Sequence, residues 1–416
     1  MRSQYQIQKN IIFLGAVQVI NYLMPFIIIP VLLNKIGIEQ YGKVSMAMGV
    51  ILVVFSISEF GFNITGPRLI STAKNNREES FIVSSLINAR LLLLVPCLLF
   101  LIGLILTVPN YQEEAKLIVF SFMIVLGQAF TPNWFYIGKE KNQYQSFFHF
   151  LSRFFYFVAV WFLINSPDDY YYVNFWNGVG LFLVGIVAIV LIFKKYRYRV
   201  FIIPVKKSLI FIGDNFNIFF ANFLSSIHRN APIIIAGFML TSENLGLYSV
   251  LDKVILAIIS AFIVLYNALY PRICSLYVKK NGISKVRMFF EKYLPWLGLL
   301  VIVSAIVFVL VGSDLIGILS REIDPLNIQF EILLIGFIPI GLFLNLPISL
   351  IIVSFNIQRL YLIYSAISAL TIIVLGITLG FFLGLKGLII AIFITELISG
   401  LIGIVLLKNH FKITPQ

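Results

Sequence analysis

The sequence predicts an all-α, polytopic membrane protein of about 12 transmembrane helices, arranged as two six-helix bundles related by an axis along the membrane normal. Three observations carry that expectation. The chain of 416 residues is 60% hydrophobic and only 12% charged, with a mean hydropathy of +0.98, whereas soluble domains carry roughly 25% charged and 45–50% apolar residues. Its apolar residues are gathered into runs close to the roughly 20 residues an α-helix needs to cross a bilayer. Its two halves also share a pattern. Pro25 and its trailing isoleucines precede Tyr41 by the same interval that separates Pro232 and its isoleucines from Tyr248, and GPRLIS at 66–71 finds a counterpart in YPRICS at 270–275. Two pairs in the same order argue for an internal repeat, and an even number of spans per half gives both copies the same orientation.

The spans follow in order. The first, 11–33, has Arg2 and Lys9 before it and Lys35 after it; it is read as the insertion signal itself, because no small-residue cleavage site interrupts it. The second, 42–64, leads to Arg68, and the third, 83–108, is entered from Lys74 and Arg77 and left at Glu113 and Glu114. The fourth, 116–137, ends in a helix-breaking, aromatic and then charged stretch. The fifth, 146–164, stops at Asp168 and Asp169, and the sixth, 174–193, runs into the basic loop KKYRYRVFIIPVKK at 194–207, which divides the chain into an N-terminal bundle of residues 1–200 and a C-terminal bundle of residues 201–416. The second half repeats the scheme with spans at 213–240, 246–270, 293–313, 327–354, 360–382 and 387–407.

Charge fixes the expected orientation. Twenty-two Lys and Arg residues fall in the segments on one side, against four (Lys35, Lys116, Arg321 and Lys386) on the other, which places both termini in the cytoplasm. Acidic residues, including Asp314, Glu322 and Asp324, collect on the outer side. The excess of 31 basic over 18 acidic residues is therefore a property of membrane loops and does not point to nucleic acid. The two cysteines, Cys97 and Cys274, form neither a disulfide framework nor a metal site, and the three histidines, His149, His228 and His410, are too scattered to hold a metal. No phosphate-binding Walker motif, H-E-x-x-H or G-x-S-x-G occurs, so ATP hydrolysis and the common hydrolytic chemistries are not expected.

The end of the fourth span, GQAFTPNWFYIGKEKN at 127–142, is the most distinctive stretch. Pro132 breaks a helix where neighbouring helices can satisfy the freed carbonyls, Trp134 and Tyr136 suit a membrane interface, and Gly138 with Lys139, Glu140 and Lys141 returns the chain to water. The spacing Pro132-x-Trp134-Phe135-Tyr136-x-Gly138-x-Glu140-Lys141 resembles the fourth-span signature of the bacterial polysaccharide flippases, the O-antigen transporter type within the multidrug, oligosaccharidyl-lipid and polysaccharide exporter superfamily. Asn10, Gln18, Asn21-Tyr22, Pro25, Pro30, Ile36-Gly37, Tyr41-Gly42 and Glu59-Phe60-Gly61-Phe62-Asn63 leading to Arg68 are similar to the same family, with Glu59 standing where an aspartate is expected.

Ionisable groups at membrane depth cost about 2.5–3.5 kcal/mol on insertion scales and usually face a cavity or a partner. Here they are Arg90, Arg153, Asp214, Arg229, Asp252, Lys253 and Glu396, with Glu59 nearer a span end. Arg229, in the polar patch SSIHRNAP, is the leading candidate for substrate binding, followed by Arg90, Arg153 and Lys253; guanidinium forks match phosphate oxygens. Arg90 and Arg153 have the alternative of snorkelling toward a helix end. Glu396, Asp252 and His228 are candidates for coupling to Na⁺ or H⁺, against the alternative of hydrogen bonding between helices. Asp252 and Lys253, adjacent on a helix, point about 100° apart and cannot form an ideal i,i+4 pair, which leaves one of them available to pair with another helix.

The resemblance implies a non-enzymatic inner-membrane flippase without a cofactor. Its substrate would be an undecaprenyl-diphosphate-linked oligosaccharide repeat unit, moved from the cytoplasmic to the periplasmic leaflet, and its partners the lipid bilayer, a polysaccharide polymerase and a chain-length regulator. A cation-coupled drug exporter of the same superfamily is the rival reading, disfavoured by the basic balance of the intramembrane charges. A lipid II flippase stands close by. A membrane enzyme such as a polymerase or acyltransferase would want a large outer loop or a His or Asp at a membrane face, and neither is evident.

Overall fold

The computed structural model describes residues 2–277, 281–319, 325–355 and 357–413, with side-chain surroundings from residue 24 onward. Lys279, Lys280, Arg321, Glu322 and Asp324 of the charge pattern lie outside the described residues, as do the side chains of Asn10, Gln18, Asn21 and Tyr22. Every long element among the described residues is helical: α1 (Arg2–Glu59), α2 (Phe62–Thr72), α3 (Asn76–Thr107), α4 (Pro109–Glu113), α5 (Ala115–Ser121), α6 (Met123–Ala129), α7 (Asn133–Gly138), α8 (Asn142–Leu163), α9 (Tyr170–Tyr196), α10 (Val205–Asp214), α11 (Phe216–Met239), α12 (Ser242–Tyr277), α13 (Gly282–Leu319), α14 (Gln329–Ser354) and α15 (Gln358–Ile413).

Nine helical stretches among the described residues are long and apolar enough to cross a membrane, and a bent pair, Val205–Asp214 with Ile218–Met239, makes a tenth if read as one span. The protein is thus a multi-pass membrane protein of the all-α class. The difference from the expected count lies in α1 and α15, each of which joins two expected spans across one glycine. Gly37 (φ 76°, ψ 166°) lies at the expected Ile36-Gly37 turn, and Gly384 (φ 57°, ψ −131°) falls between the runs 360–382 and 387–407. Both glycines adopt conformations that a Cβ would disfavour, so the break is built into the residue type.

The helix ends follow capping chemistry. Asn75 accepts the Glu78 backbone N–H at 2.9 Å to start α3, with Glu78 and Glu79 in the first turn where the helix dipole favours anions. Ser166 and Asp169 form a reciprocal capping box before α9, which ends on Lys194 and Lys195 and a left-handed Arg197 (φ 53°).

The chain divides into two compact units, Met1–Ser226 and Ile227–Gln416. In the first, α1 packs against α3, α6, α8 and α9, while α2 packs on α7 and α10 on α3. A core of this unit gathers Phe60, Phe62, Ile70, Leu86, Trp134, Phe135 and Tyr136 with Val184 and Ala188 of α9. In the second, α14 is central, packed against α12, α13 and α15. Small residues bring α14 and α15 close: a Cβ on Gly341 would lie 2.5 Å from the Glu396 Cβ, and one on Gly403 would lie 2.7 Å from Ile348. Such approach is how helices associate where lipid removes the hydrophobic drive. The outward face of α13 carries exposed Trp296, Leu300, Ile306 and Leu310, apolar surface suited to lipid.

Candidate functional site

Pro132 ends one helix and starts another. The chain leaves α6 at Ala129 and re-enters helix at Asn133, so the Thr131 carbonyl loses its intrahelical donor and the Gln128 carbonyl, whose i+4 position is Pro132, is left with the Thr131 N–H at 3.1 Å. The Arg90 guanidinium of α3 supplies the replacement, donating through Nη1 to the Thr131 carbonyl at 3.0 Å and the Gln128 carbonyl at 3.3 Å, and through Nη2 to Asn63 Oδ1 at 3.1 Å. Arg90 is 2% exposed. The fourth-span signature and this intramembrane arginine are two halves of one device: the proline frees carbonyls and the arginine takes them up, tying α2, α3 and α6 together.

The aromatics of the signature serve packing. Trp134 and Tyr136, expected at the membrane interface, are 1% and 5% exposed. The reason is the close approach of α2 and α7. A Cβ on Gly66 would lie 2.8 Å from the Trp134 Cβ, and a Cβ on Gly138 would lie 2.8 Å from the Pro67 carbonyl oxygen. The glycines let two backbones meet and the rings fill the space on either side. Glu140 then takes a left-handed conformation (φ 53°) that lets the Lys141 N–H reach the Tyr136 carbonyl at 2.8 Å.

The same end of this unit carries a polar clamp. Lys139 pairs with Glu79 at 2.5 Å, and the Tyr198 hydroxyl donates to the other oxygen of that carboxylate. Burial and the Glu79 carboxylate push the Tyr198 hydroxyl above its ordinary range, so it remains a neutral donor. The segment after Tyr198 is laced to one face of α3. Ser80 Oγ receives the Arg199 N–H at 2.9 Å, Ser84 Oγ receives the Phe201 N–H at 3.1 Å, and Asn88 Nδ2 donates to the Ile203 carbonyl at 2.9 Å. The loop that the sequence marks as a divider is thus fixed to α3 by residues four apart on one helix face.

The second unit holds the polar network that the sequence points to from two directions. Glu396 of α15 approaches His228 of α11, Oε1 to Nε2 at 3.5 Å, while its Oε2 accepts from Asn345 Nδ2 of α14 at 2.6 Å. Asn345 also donates to the Glu396 carbonyl at 2.9 Å and accepts from the Tyr364 hydroxyl at 2.7 Å. The second ring nitrogen of His228 lies 3.3 Å from the Ser368 carbonyl oxygen. Four helical segments therefore converge on one carboxylate whose side chain is 12% exposed. The arrangement is a side-chain network in which the Asn345 amide donates to the carboxylate, the Tyr364 hydroxyl fixes that amide and the His228 imidazole faces the second carboxylate oxygen.

The other residues singled out by the sequence fall elsewhere. Asp252 pairs with its own neighbour, Oδ2 2.9 Å from Lys253 Nζ; the long lysine stem covers the angle that the helix puts between them. Arg153 makes one long bond, Nη1 to Asn177 Oδ1 at 3.4 Å. Arg229 is exposed and has no hydrogen bond or ion pair among the described residues. Asn345 and Tyr364 escaped the sequence reading because it searched for ionisable groups. An asparagine inside the apolar run of α14 is itself costly at membrane depth and was the signal that would have found them.

This fold is shared by solved transporters. A multidrug resistance MATE family transporter of the MOP superfamily, in an inward-facing conformation, superposes with a TM-score of 0.75 over 98% of this chain and 100% of that one at 14% identity. The lipid II flippase MurJ in an inward closed conformation superposes with a TM-score of 0.69 over 96% and 87% of the two chains at 15% identity. The fold is that of MOP-superfamily transporters. Within it, the chain belongs to the family described as polysaccharide biosynthesis protein, whose pattern matches residues 7–277. Among curated relatives, the "Putative O-antigen transporter" of Escherichia coli (strain K12) is 26% identical over 278 residues, covering 66% of each chain, and its namesake in Shigella dysenteriae is 24% identical over 286 residues, covering 69% of this chain and 72% of that one. The match spans about two thirds of each relative's length. The family resemblance carried by the fourth-span signature is borne out, and the relatives named here place the chain among transporters rather than enzymes.

Proposed function

We propose that this protein is a flippase of the bacterial inner membrane that carries an undecaprenyl-diphosphate-linked O-antigen or related repeat unit from the cytoplasmic to the periplasmic leaflet by ion-coupled alternating access. The observation that carries this reading is the match to proteins named as O-antigen transporters, supported by the family match over residues 7–277, which includes the Pro132–Lys141 signature. Counting Gly37 and Gly384 each as a turn between two crossings, and residues 205–239 as one bent span, gives twelve crossings with both termini in the cytoplasm.

In this mechanism Arg229 meets the diphosphate, since it alone of the four cations named in the sequence has no partner among the described residues. Arg153, held by one long bond, is the second contributor. Glu396 and His228 form the coupling site for H⁺ or Na⁺. Loading it changes the charge at a point where α11, α14 and α15 converge, and a change of that kind shifts the balance between inward and outward states. A polysaccharide polymerase and a chain-length regulator would take the repeat unit on the far side.

The test is the gel ladder of surface polysaccharide in a strain lacking the gene, with and without the gene on a plasmid. Loss of the ladder with accumulation of lipid-linked single repeat units, restored by the wild type but not by Arg229→Ala at equal protein level, is the expected result. An unchanged ladder in the deletion strain would overturn the reading in favour of a drug exporter.

A further inference from the structure

From the last turn of α9 to the first turn of α10 the chain carries Lys194, Lys195, Arg197, Arg199, Lys206 and Lys207 with no acidic side chain among them, and all six are exposed. Interleaved with these cations, Val200, Ile202 and Val205 are 74%, 94% and 60% exposed. Basic and apolar side chains side by side suit the boundary between lipid headgroups and acyl chains, where both are satisfied at once. The hydrogen bonds from α3 to residues 199–203 hold this surface in place, so it is a fixed platform rather than a loose tether.

Behind the platform, a groove of about 270 Å³ opens between α3 and α10, with walls that include Phe81, Ile203, Lys207, Ser208 and Phe211. A single water needs only about 10–15 Å³ by the same measure, so the groove is the size of a chain segment. Ser208 is 3% exposed, and its hydroxyl has no hydrogen-bond partner among the described residues. A buried donor left unmade is costly, and here it lines the same groove as a lysine.

We propose that this groove binds one anionic glycerophospholipid of the surrounding bilayer, its phosphate held by Lys207 and the Ser208 hydroxyl and an acyl chain lying along Phe81 and Phe211. One lysine and one hydroxyl match a singly charged phosphodiester. Asp214, on the same wall, opposes the second charge of a polyprenyl diphosphate, which separates this site from any substrate path. The inference stands apart from the transport reading.

The experiment is native mass spectrometry of the full-length protein in detergent with added phosphatidylglycerol or phosphatidylcholine. The wild type should retain one phosphatidylglycerol in preference to phosphatidylcholine, and removing one cation with Lys207→Gln, an exposed and structurally mild change, should weaken retention about fivefold. Ser208→Ala, which removes only the hydroxyl, should weaken it as well. Equal retention of both lipids, phosphatidylglycerol binding indifferent to both variants, or displacement of the bound lipid by undecaprenyl diphosphate would each overturn the assignment.

Discussion

Arg90 in the first unit and Glu396 in the second are both charges at membrane depth, and their surroundings differ in kind. Arg90 spends its donors on two backbone carbonyls and an amide oxygen, none of which can gain or lose a proton in any ordinary condition. Glu396 faces an amide that is itself held by a tyrosine, and the imidazole of a third helix. The first arrangement is a staple onto backbone carbonyls and one amide; the second links side chains of three helices. Intramembrane charges are better sorted by what holds them than by their own sign or depth.

The largest effect expected from breaking this contrast is at Arg90. Arg90→Ala leaves Asn63 Oδ1 and the Thr131 carbonyl without the donors that Arg90 supplies, in a site that is 2% exposed, while the Gln128 carbonyl keeps the Thr131 N–H, and each buried acceptor so stranded costs about 1–3 kcal/mol. The variant should lose about 3 kcal/mol or more, seen as a depressed unfolding temperature in detergent and a reduced membrane level. A variant that accumulates and melts like the wild type while losing transport would move Arg90 from the staple to the substrate path.

A smaller effect is expected at Gly138. A Cβ there meets the Pro67 carbonyl oxygen at 2.8 Å and the Ile70 Cβ at 2.9 Å, whereas one at Gly103 of α3 meets nothing within 4 Å. Overpacking costs roughly 1–3 kcal/mol, and Ala is the better helix former by about 1 kcal/mol where space is free. Gly138→Ala should therefore lower the unfolding temperature while Gly103→Ala leaves it unchanged or raises it. Equal responses would mean that α2 and α7 part easily and that the signature is not a packing device.

These residues also show what the sequence makes legible. Hydropathy was enough to show an all-α chain of many spans, because lipid leaves a helix little choice but to be continuously apolar, and the Ile36-Gly37 turn was among the motifs that carry the family resemblance. The role of Trp134 was not, since an indole near a span end reads the same whether it faces headgroups or the Gly66 backbone; only the partner helix decides. Glu396 and His228 were each visible as costly residues, but their meeting across α11 and α15 depends on tertiary geometry that no local pattern records. Asn345 was overlooked because it is uncharged, although it makes more bonds to Glu396 than His228 does.

The smallest stability effect and the sharpest functional one are expected together at Glu396. Glu396→Gln keeps the length of the side chain and an oxygen for Asn345 Nδ2, so the contact at 2.6 Å has a substitute, and only the charge opposite His228 is lost. A largely preserved hydrogen bond should move stability by less than about 1 kcal/mol. Under the proposed ion-coupled mechanism, transport should lose its dependence on the pH or Na⁺ gradient, because a carboxamide neither takes up a proton near neutrality nor carries charge to hold a cation. Assaying repeat-unit translocation in vesicles with imposed gradients reads this directly, with Asn345→Ala as the comparison that disturbs the network but leaves the carboxylate. If Glu396→Gln melts as early as Arg90→Ala, the carboxylate is a second staple. If it melts normally and still responds to the gradient, the coupling group lies elsewhere, and the Asp252–Lys253 pair on α12, whose charges are already joined at 2.9 Å, is the next place to look.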